Sequence, residues 1–127
     1  MLNHISFGVA DLARSRKFYD AVLKPLGLAC TAPGDTSLGY GDAAGAIALW
    51  LLAAKKPVRA EAQNGLHVCF DAPSRKAVDA FHAAALKAGG SDNGRPGLRA
   101  DYGAHYYAAF VIDPDGYRLE AFCGAAK

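Results

Sequence analysis

Cysteine is scarce in this 127-residue chain, with only Cys30, Cys69 and Cys123 and no C-x-x-C pair among them. An odd number without metal-knuckle spacing excludes a disulfide framework and a cysteine-ligated zinc knuckle, and leaves free thiols. Long apolar runs are missing too. The longest, from Ala43 to Ala54, is interrupted by Gly45. It falls short of a bilayer span and reads as a buried strand. Runs of one charge sign are also lacking: 14 basic and 12 acidic residues are mixed along the chain, for a net charge of +2. Such a pattern would not track a phosphate backbone, so neither nucleic acid nor a membrane is an expected partner. The start, Met1-Leu2-Asn3-His4, has no basic residue and no long apolar core. It therefore does not read as a signal peptide, and a cytoplasmic location is expected. What remains is an ordinary globular composition, 52% hydrophobic and 20% charged. The length favours a single domain over residues 1–127.

Within that domain the chain repeats itself. An offset of 63 residues lays His4 on His67, Phe7 on Phe70, Asp11 on Ser74, Phe18 on Phe81, Leu23 on Leu86 and Gly27 on Gly90. Each pair suits its place in a strand-helix unit. From Asn3 to Val9 the residues alternate, with Ile5, Phe7 and Val9 on one side and His4, Ser6 and Gly8 on the other, the mark of a half-buried strand. Asp11 is a candidate N-cap. Leu12, Ser15, Phe18, Tyr19, Val22 and Leu23 follow the helical period, and Pro25 and Gly27 end the helix. The second unit places a strand at Leu66 to Phe70, a cap at Ser74, and a buried stripe of Val78, Phe81, Ala85 and Leu86 that stops at Gly89-Gly90. His82 falls outside that stripe, as a surface residue.

Strand-like segments follow each helix, near 28–32, 36–41 and 46–52 in the first half. In the second half they fall within 97–100, at 106–112 and at 117–122, the last two joined by Asp113-Pro114-Asp115-Gly116, strong turn chemistry. The Gly-rich stretch 89–97 reads as a flexible loop over a site. Two modules result, at about 1–54 and 65–124, with a linker at about 55–64. Toward the end of each half the offset becomes 71, so that Glu120 falls on Leu49, and Trp50 on the other face packs in the core.

By parity, His4, His67 and Glu120 lie on the strand faces turned away from the helices. Two imidazoles and one carboxylate on one concave face suit a divalent cation with open positions for substrate, such as Fe, Mn, Zn or Ni. A buried glutamate without a cation would be costly. Glu120 is also a candidate base, with Tyr107 and His105 as further catalytic candidates. Pairing the last two strands puts Ala109 opposite Glu120 and Tyr107 opposite Phe122, on the same face, where Tyr107 can also contact substrate. Arg118 shares parity with Glu120 and is a candidate for an anionic substrate group. Arg95 and Arg99 in the Gly-rich region could close over an acid.

These features together, His4-Ile5-Ser6-Phe7-Gly8-Val9, Asp11 to Phe18-Tyr19, the His67 strand and Asp113-Pro114-Asp115-Gly116-Tyr117-Arg118-Leu119-Glu120, resemble the vicinal oxygen chelate superfamily. That superfamily includes glyoxalase I, extradiol dioxygenases, fosfomycin-resistance transferases and bleomycin-binding proteins. The resemblance covers nearly the whole chain. It implies an α+β fold of two tandem βαβββ modules forming a cup-shaped half-barrel sheet, usually within a homodimer. It also implies a metal on His4, His67 and Glu120 that chelates a small oxygen-bearing substrate, in a lactoylglutathione lyase-like or ring-cleaving dioxygenase-like reaction. The fourth ligand position of glyoxalase I falls at Leu49, which cannot ligate. A fosfomycin-type thiol transferase is an alternative, but calls for a serine- and lysine-rich phosphonate pocket that is not evident here. A non-catalytic bleomycin-type antibiotic-binding protein is another, and members of that type generally lack the triad.

Overall fold

The computed structural model describes all 127 residues. Module one runs β1 (Ile5–Val9), α1 (Leu12–Leu23), β2 (Ala29–Pro33), β3 (Ser37–Gly41) and β4 (Ile47–Ala53). Module two runs β5 (His67–Asp71), α2 (Arg75–Lys87), β6 (Ser91–Leu98), β7 (Tyr107–Ile112) and β8 (Arg118–Cys123). Each builds a four-stranded mixed sheet, in the orders β1-β4-β3-β2 (sheet A) and β5-β8-β7-β6 (sheet B). The first strand of each module pairs parallel with the last, and the other pairs are antiparallel. Two open sheets and two helices make the α+β architecture expected from the repeat. No helix is long and apolar enough to cross a membrane.

Local chemistry sets the helix starts. The Asp11 carboxylate accepts from the Arg14 amide and the Ser74 hydroxyl from the Ala77 amide, so both predicted caps form. Helix α1 buries Ser15, Phe18, Tyr19, Val22 and Leu23. It packs on α2, and one apolar cluster joins both helices to the helix-facing residues of both sheets. Leu38, Leu49 and Leu51 enter it from sheet A, and Val111, Leu119 and Ala121 from sheet B. The opposite face of each sheet contributes nothing to that cluster.

The two modules are fastened by the β7–β8 turn. Asp113 is 3% exposed and takes the Tyr19 hydroxyl of α1 at 2.5 Å. Its other oxygen accepts from the amides of Asp115 and Tyr117. Burial raises the Asp113 pKa, a shift opposed by these hydrogen bonds. Asp115 reaches the start of α1, where it accepts from the Ala10 amide, the Ser15 hydroxyl and the Arg14 guanidinium. A carboxylate there complements the positive end of the helix. Tyr117 stacks on Phe7 at 4.2 Å and donates to the Gly8 carbonyl.

Several expectations are corrected. The stretch 89–97 is not a free loop: most of it is β6, which ends at Leu98. Register irregularities on either side of Gly94, and Gly94 itself at φ 151°, hide the alternation. The long loop is 99–106 instead. Leu86 is 47% exposed, whereas His82 is 8% exposed because its Nε2 finds the Asp92 carboxylate at 2.8 Å.

Two registers also differ by one residue. Ile112 faces Arg118, so the turn holds five residues, and Phe110 rather than Ala109 faces Glu120. In module one a bulge absorbs Ala48: Gly41 faces Ile47, but Tyr40 faces Leu49. Leu49 lies beside Ile5 as Leu119 lies beside Val68. The counterpart of Glu120 is therefore Trp50, not Leu49. Leu49 is a core residue, and Trp50 lies half-buried on the non-helix face, over Gly39.

Asp115→Ala should destabilise the protein by about 1–3 kcal/mol, because three donors lose a largely buried acceptor. Urea denaturation with linear extrapolation to zero denaturant measures it. A loss no larger than that of the exposed-site control Asp35→Ala would show that the turn does not fasten the modules.

Candidate functional site

On the non-helix face of sheet B, β5 and β8 put His67 and Glu120 side by side. Glu120 is 2% exposed, and each of its oxygens has a partner. Oε2 lies 2.9 Å from His67 Nε2, and Oε1 accepts from the Tyr106 hydroxyl at 2.6 Å. Cys69 faces Glu120 across the strand pair. Phe110 flanks the group on β7, its ring 5.9 Å from the His67 imidazole. Tyr106 lies over Phe122 at 4.2 Å and meets Tyr102 edge-on. The 99–106 loop thus folds back onto the sheet. A pocket of about 320 Å³ opens here between His67, Asn93, Tyr102, Phe110 and Arg118, walled on one side by the 62–66 segment.

Electrostatics follow from the buried carboxylate. Burial, and then the Glu120 charge, push the Cys69 thiol up to about 12. The Tyr106 phenol is also raised, first by its hydrogen bond to Glu120 and then by burial. Both groups stay protonated near neutral pH, so Glu120 is surrounded by hydrogen-bond donors.

The residues named from sequence separate into two groups. His67, Glu120 and Arg118 come together on this face as parity indicated. Arg118 Nη1 is engaged by the carbonyls of Gly116, at 2.7 Å, and Ala60, at 3.4 Å. Arg99 lies over Phe110, its guanidinium carbon 5.3 Å from the ring centroid. Tyr107 is elsewhere. The five-residue turn flips it to the helix side, where its hydroxyl donates to Asp79 and Arg75 stacks on its ring. Its neighbour Tyr106, which precedes the strand, holds the place assigned to it. His105 is exposed in the loop and takes no part in this cluster. His4 is exposed at the start of β1, and its Nδ1 meets only Asn3. Within one chain, no three His, Cys, Asp or Glu side chains converge into a metal-binding group. Tyr106 was missed because it lies one residue outside the alternating segment. Its aromatic neighbours, Tyr102 and Tyr107, gave no signal to single it out.

The donor types suit a divalent metal. An imidazole nitrogen and a carboxylate oxygen sit on neighbouring strands, a second imidazole is exposed on module one, and Trp50 at the fourth position brings no ligating atom.

A family model described as the Glyoxalase/Bleomycin resistance protein/Dioxygenase superfamily matches residues 1–121. The chain belongs to this superfamily. No curated protein matches it by sequence. Among solved structures it is similar to a glyoxalase/bleomycin resistance protein from Albidiferax ferrireducens, with 33% identity and a TM-score of 0.82 over 96% of this chain and 97% of that one. A putative glyoxalase from Bacillus halodurans is 25% identical, with a TM-score of 0.71 over 96% of this chain and 94% of that one. A glyoxalase I variant from Zea mays shares the fold, with 22% identity and a TM-score of 0.68 over 97% of this chain but 46% of that one. The superfamily by its own description includes glyoxalases and dioxygenases, so an enzyme acting on a small molecule agrees with membership.

Cys69 reaches solvent yet should react slowly. In a Cys30→Ser background at about pH 8, alkylation by iodoacetamide should fall well below that of an ordinary exposed thiol. Adding Glu120→Gln should speed it, because a charge that opposes the thiolate is removed. Equal rates with and without that change would contradict the placement of Glu120 beside the thiol.

Proposed function

We propose that this superfamily member is a metal-dependent enzyme of glyoxalase- or dioxygenase-like type, acting on a small substrate that presents two oxygens to a divalent metal. The observation that carries this reading is the buried Glu120 carboxylate, paired to His67 and braced by Tyr106, on an open sheet face beside a pocket. His67 and Glu120 would hold the metal with His4 as the third ligand. Bound there, a divalent cation supplies Lewis acidity to two substrate oxygens and stabilises the oxyanion that forms.

In this reading His4 comes from a second copy of the chain. Its ring is exposed, and on the non-helix face of sheet A Ser6 and Leu52 are exposed and Trp50 half-buried in the single chain, with Leu52 40% exposed. Sheet A of one copy facing sheet B of another would complete a homodimeric cup with two equal sites. The isologous contact expected of a dimer generates such a pair by symmetry.

The protein side of the chemistry follows from the contacts. Tyr106 fixes Glu120 Oε1, which leaves Oε2 as the oxygen free to exchange its His67 hydrogen bond for another partner. With one oxygen anchored, the other would hold the cation, and it could take a substrate proton only on loosening from it. The half-buried Tyr106 and Phe122 rings shield the carboxylate from bulk water. The raised Tyr106 pKa makes the phenol a proton donor and not a phenolate at neutral pH.

Mixing two inactive variants tests the shared site. His4→Ala and His67→Ala should each lose stoichiometric metal by elemental analysis. Subunit exchange between them should restore metal and turnover to about one quarter of wild-type sites, since each heterodimer regains one intact site. No recovery on exchange, with dimers present, would place all three ligands in one chain or none of them on a metal. Iron in the recovered protein would favour oxygen chemistry, and zinc or nickel would favour isomerase or lyase chemistry.

A further inference from the structure

Arg99 is a cation held in place by an aromatic ring and a main-chain carbonyl, with no acid paired to it. Its guanidinium lies over the Phe110 ring on the non-helix face of sheet B. Phe110 supports it at 5.3 Å, and Nη2 donates to the Arg95 carbonyl at 2.6 Å. Glycines make the shelf: a Cβ at Gly94 would meet Nη2 at 3.3 Å, and one at Gly97 would meet Nη1 at 3.2 Å. None of the chain's five ion pairs involves Arg99. The Asp92 carboxylate of β6 turns to the other face of the sheet, where it meets His82 of α2. A planar cation that is positioned, stacked and left without an acid is suited to a carboxylate brought from outside.

Its distance from Glu120 is set by the sheet. Glu120 faces Phe110, and Phe110 faces Gly94, so the three stand in one row across β8, β7 and β6. The guanidinium lies against Phe110 and Gly94, so one to two strand spacings separate it from Glu120, roughly 5–10 Å. We propose that Arg99 is a specificity-determining residue that binds the carboxylate of an elongated anionic substrate whose reacting oxygens lie at His67 and Glu120. The inference rests on the function proposed above for His67 and Glu120, beside the pocket that His67 and Phe110 line. A substrate short enough to be held only at the metal would leave Arg99 idle. One with a carboxylate at the far end of a linear body would span the row, with Tyr102 and Asn93 along the pocket wall.

The test uses the metal-loaded protein and a series of linear hydroxamates of increasing length, ending in a carboxylate or a methyl group. By calorimetry, the carboxylate should improve affinity about tenfold or more at one intermediate length only. That advantage should vanish in Arg99→Gln and survive in Arg95→Gln, where the contact is made by a main-chain carbonyl. An advantage that is absent at every length, or that persists in Arg99→Gln, overturns the proposal. Failure of the methyl-terminated compounds to bind at all would count against the metal instead. In that event the anchor is read without metal, from protection of Arg99 against phenylglyoxal by linear dicarboxylates. Protection followed by peptide mass supports the anchor, and none overturns it.

Discussion

The β7–β8 turn is the constraint on which the arrangement of the chain depends. Asp113 is buried and bonded to Tyr19, and Asp115 sits at the start of α1. Two acidic side chains from module two thereby fix the helix of module one. The same turn sets the length of the connection into β8, and so decides which of its residues face the helices. Leu119 and Ala121 are committed to the core, and Glu120 between them must face the other way. The position of the candidate site is thus a consequence of how the modules are joined.

Glu120 illustrates how a fold keeps a carboxylate under cover. A carboxyl group at 2% exposure needs strong hydrogen-bond partners. It has a phenol, an imidazole and a neighbouring thiol, drawn from the loop before β7 and from β5. None of these is a fixed positive charge. Arginines stand nearby without pairing to it: Arg118 holds main-chain carbonyls, and Arg99 rests on Phe110. That division leaves the carboxylate held by hydrogen bonds from a phenol and an imidazole, with no arginine paired to it.

Much of this was legible in the amino-acid order. The offset of 63 residues between His4 and His67 identified both strand-helix units, and Asp11 and Ser74 cap their helices as their chemistry suggests. Alternation around His67 and Glu120 gave the correct faces for both. What escaped was register. A five-residue turn and a bulge at Ala48 each displace the pairing by one position, and one position exchanges the two faces of a strand. Tyr107 and Trp50 were misplaced for this reason alone. Neither irregularity leaves a trace in hydropathy, because alanine suits both faces of a strand. His82 was misjudged because its burial depends on a carboxylate ten residues away, which no helical period reports.

The bulge in β4 carries an implication for how the duplicated units diverged. A residue gained in a strand would ordinarily turn its hydrophobic stripe outward and ruin the domain. Looped out at Ala48, the extra residue is absorbed within a single step, and Leu49 and Leu51 stay in the interior. The turn before β4 keeps the five-residue span of its counterpart before β8, and the strand beyond the bulge packs as before. The extra residue is contained locally, and the outer position across from Ser6 holds an indole where its twin across from Cys69 holds an acid. Two halves with a common ancestor could specialise for different tasks without either one having to refold.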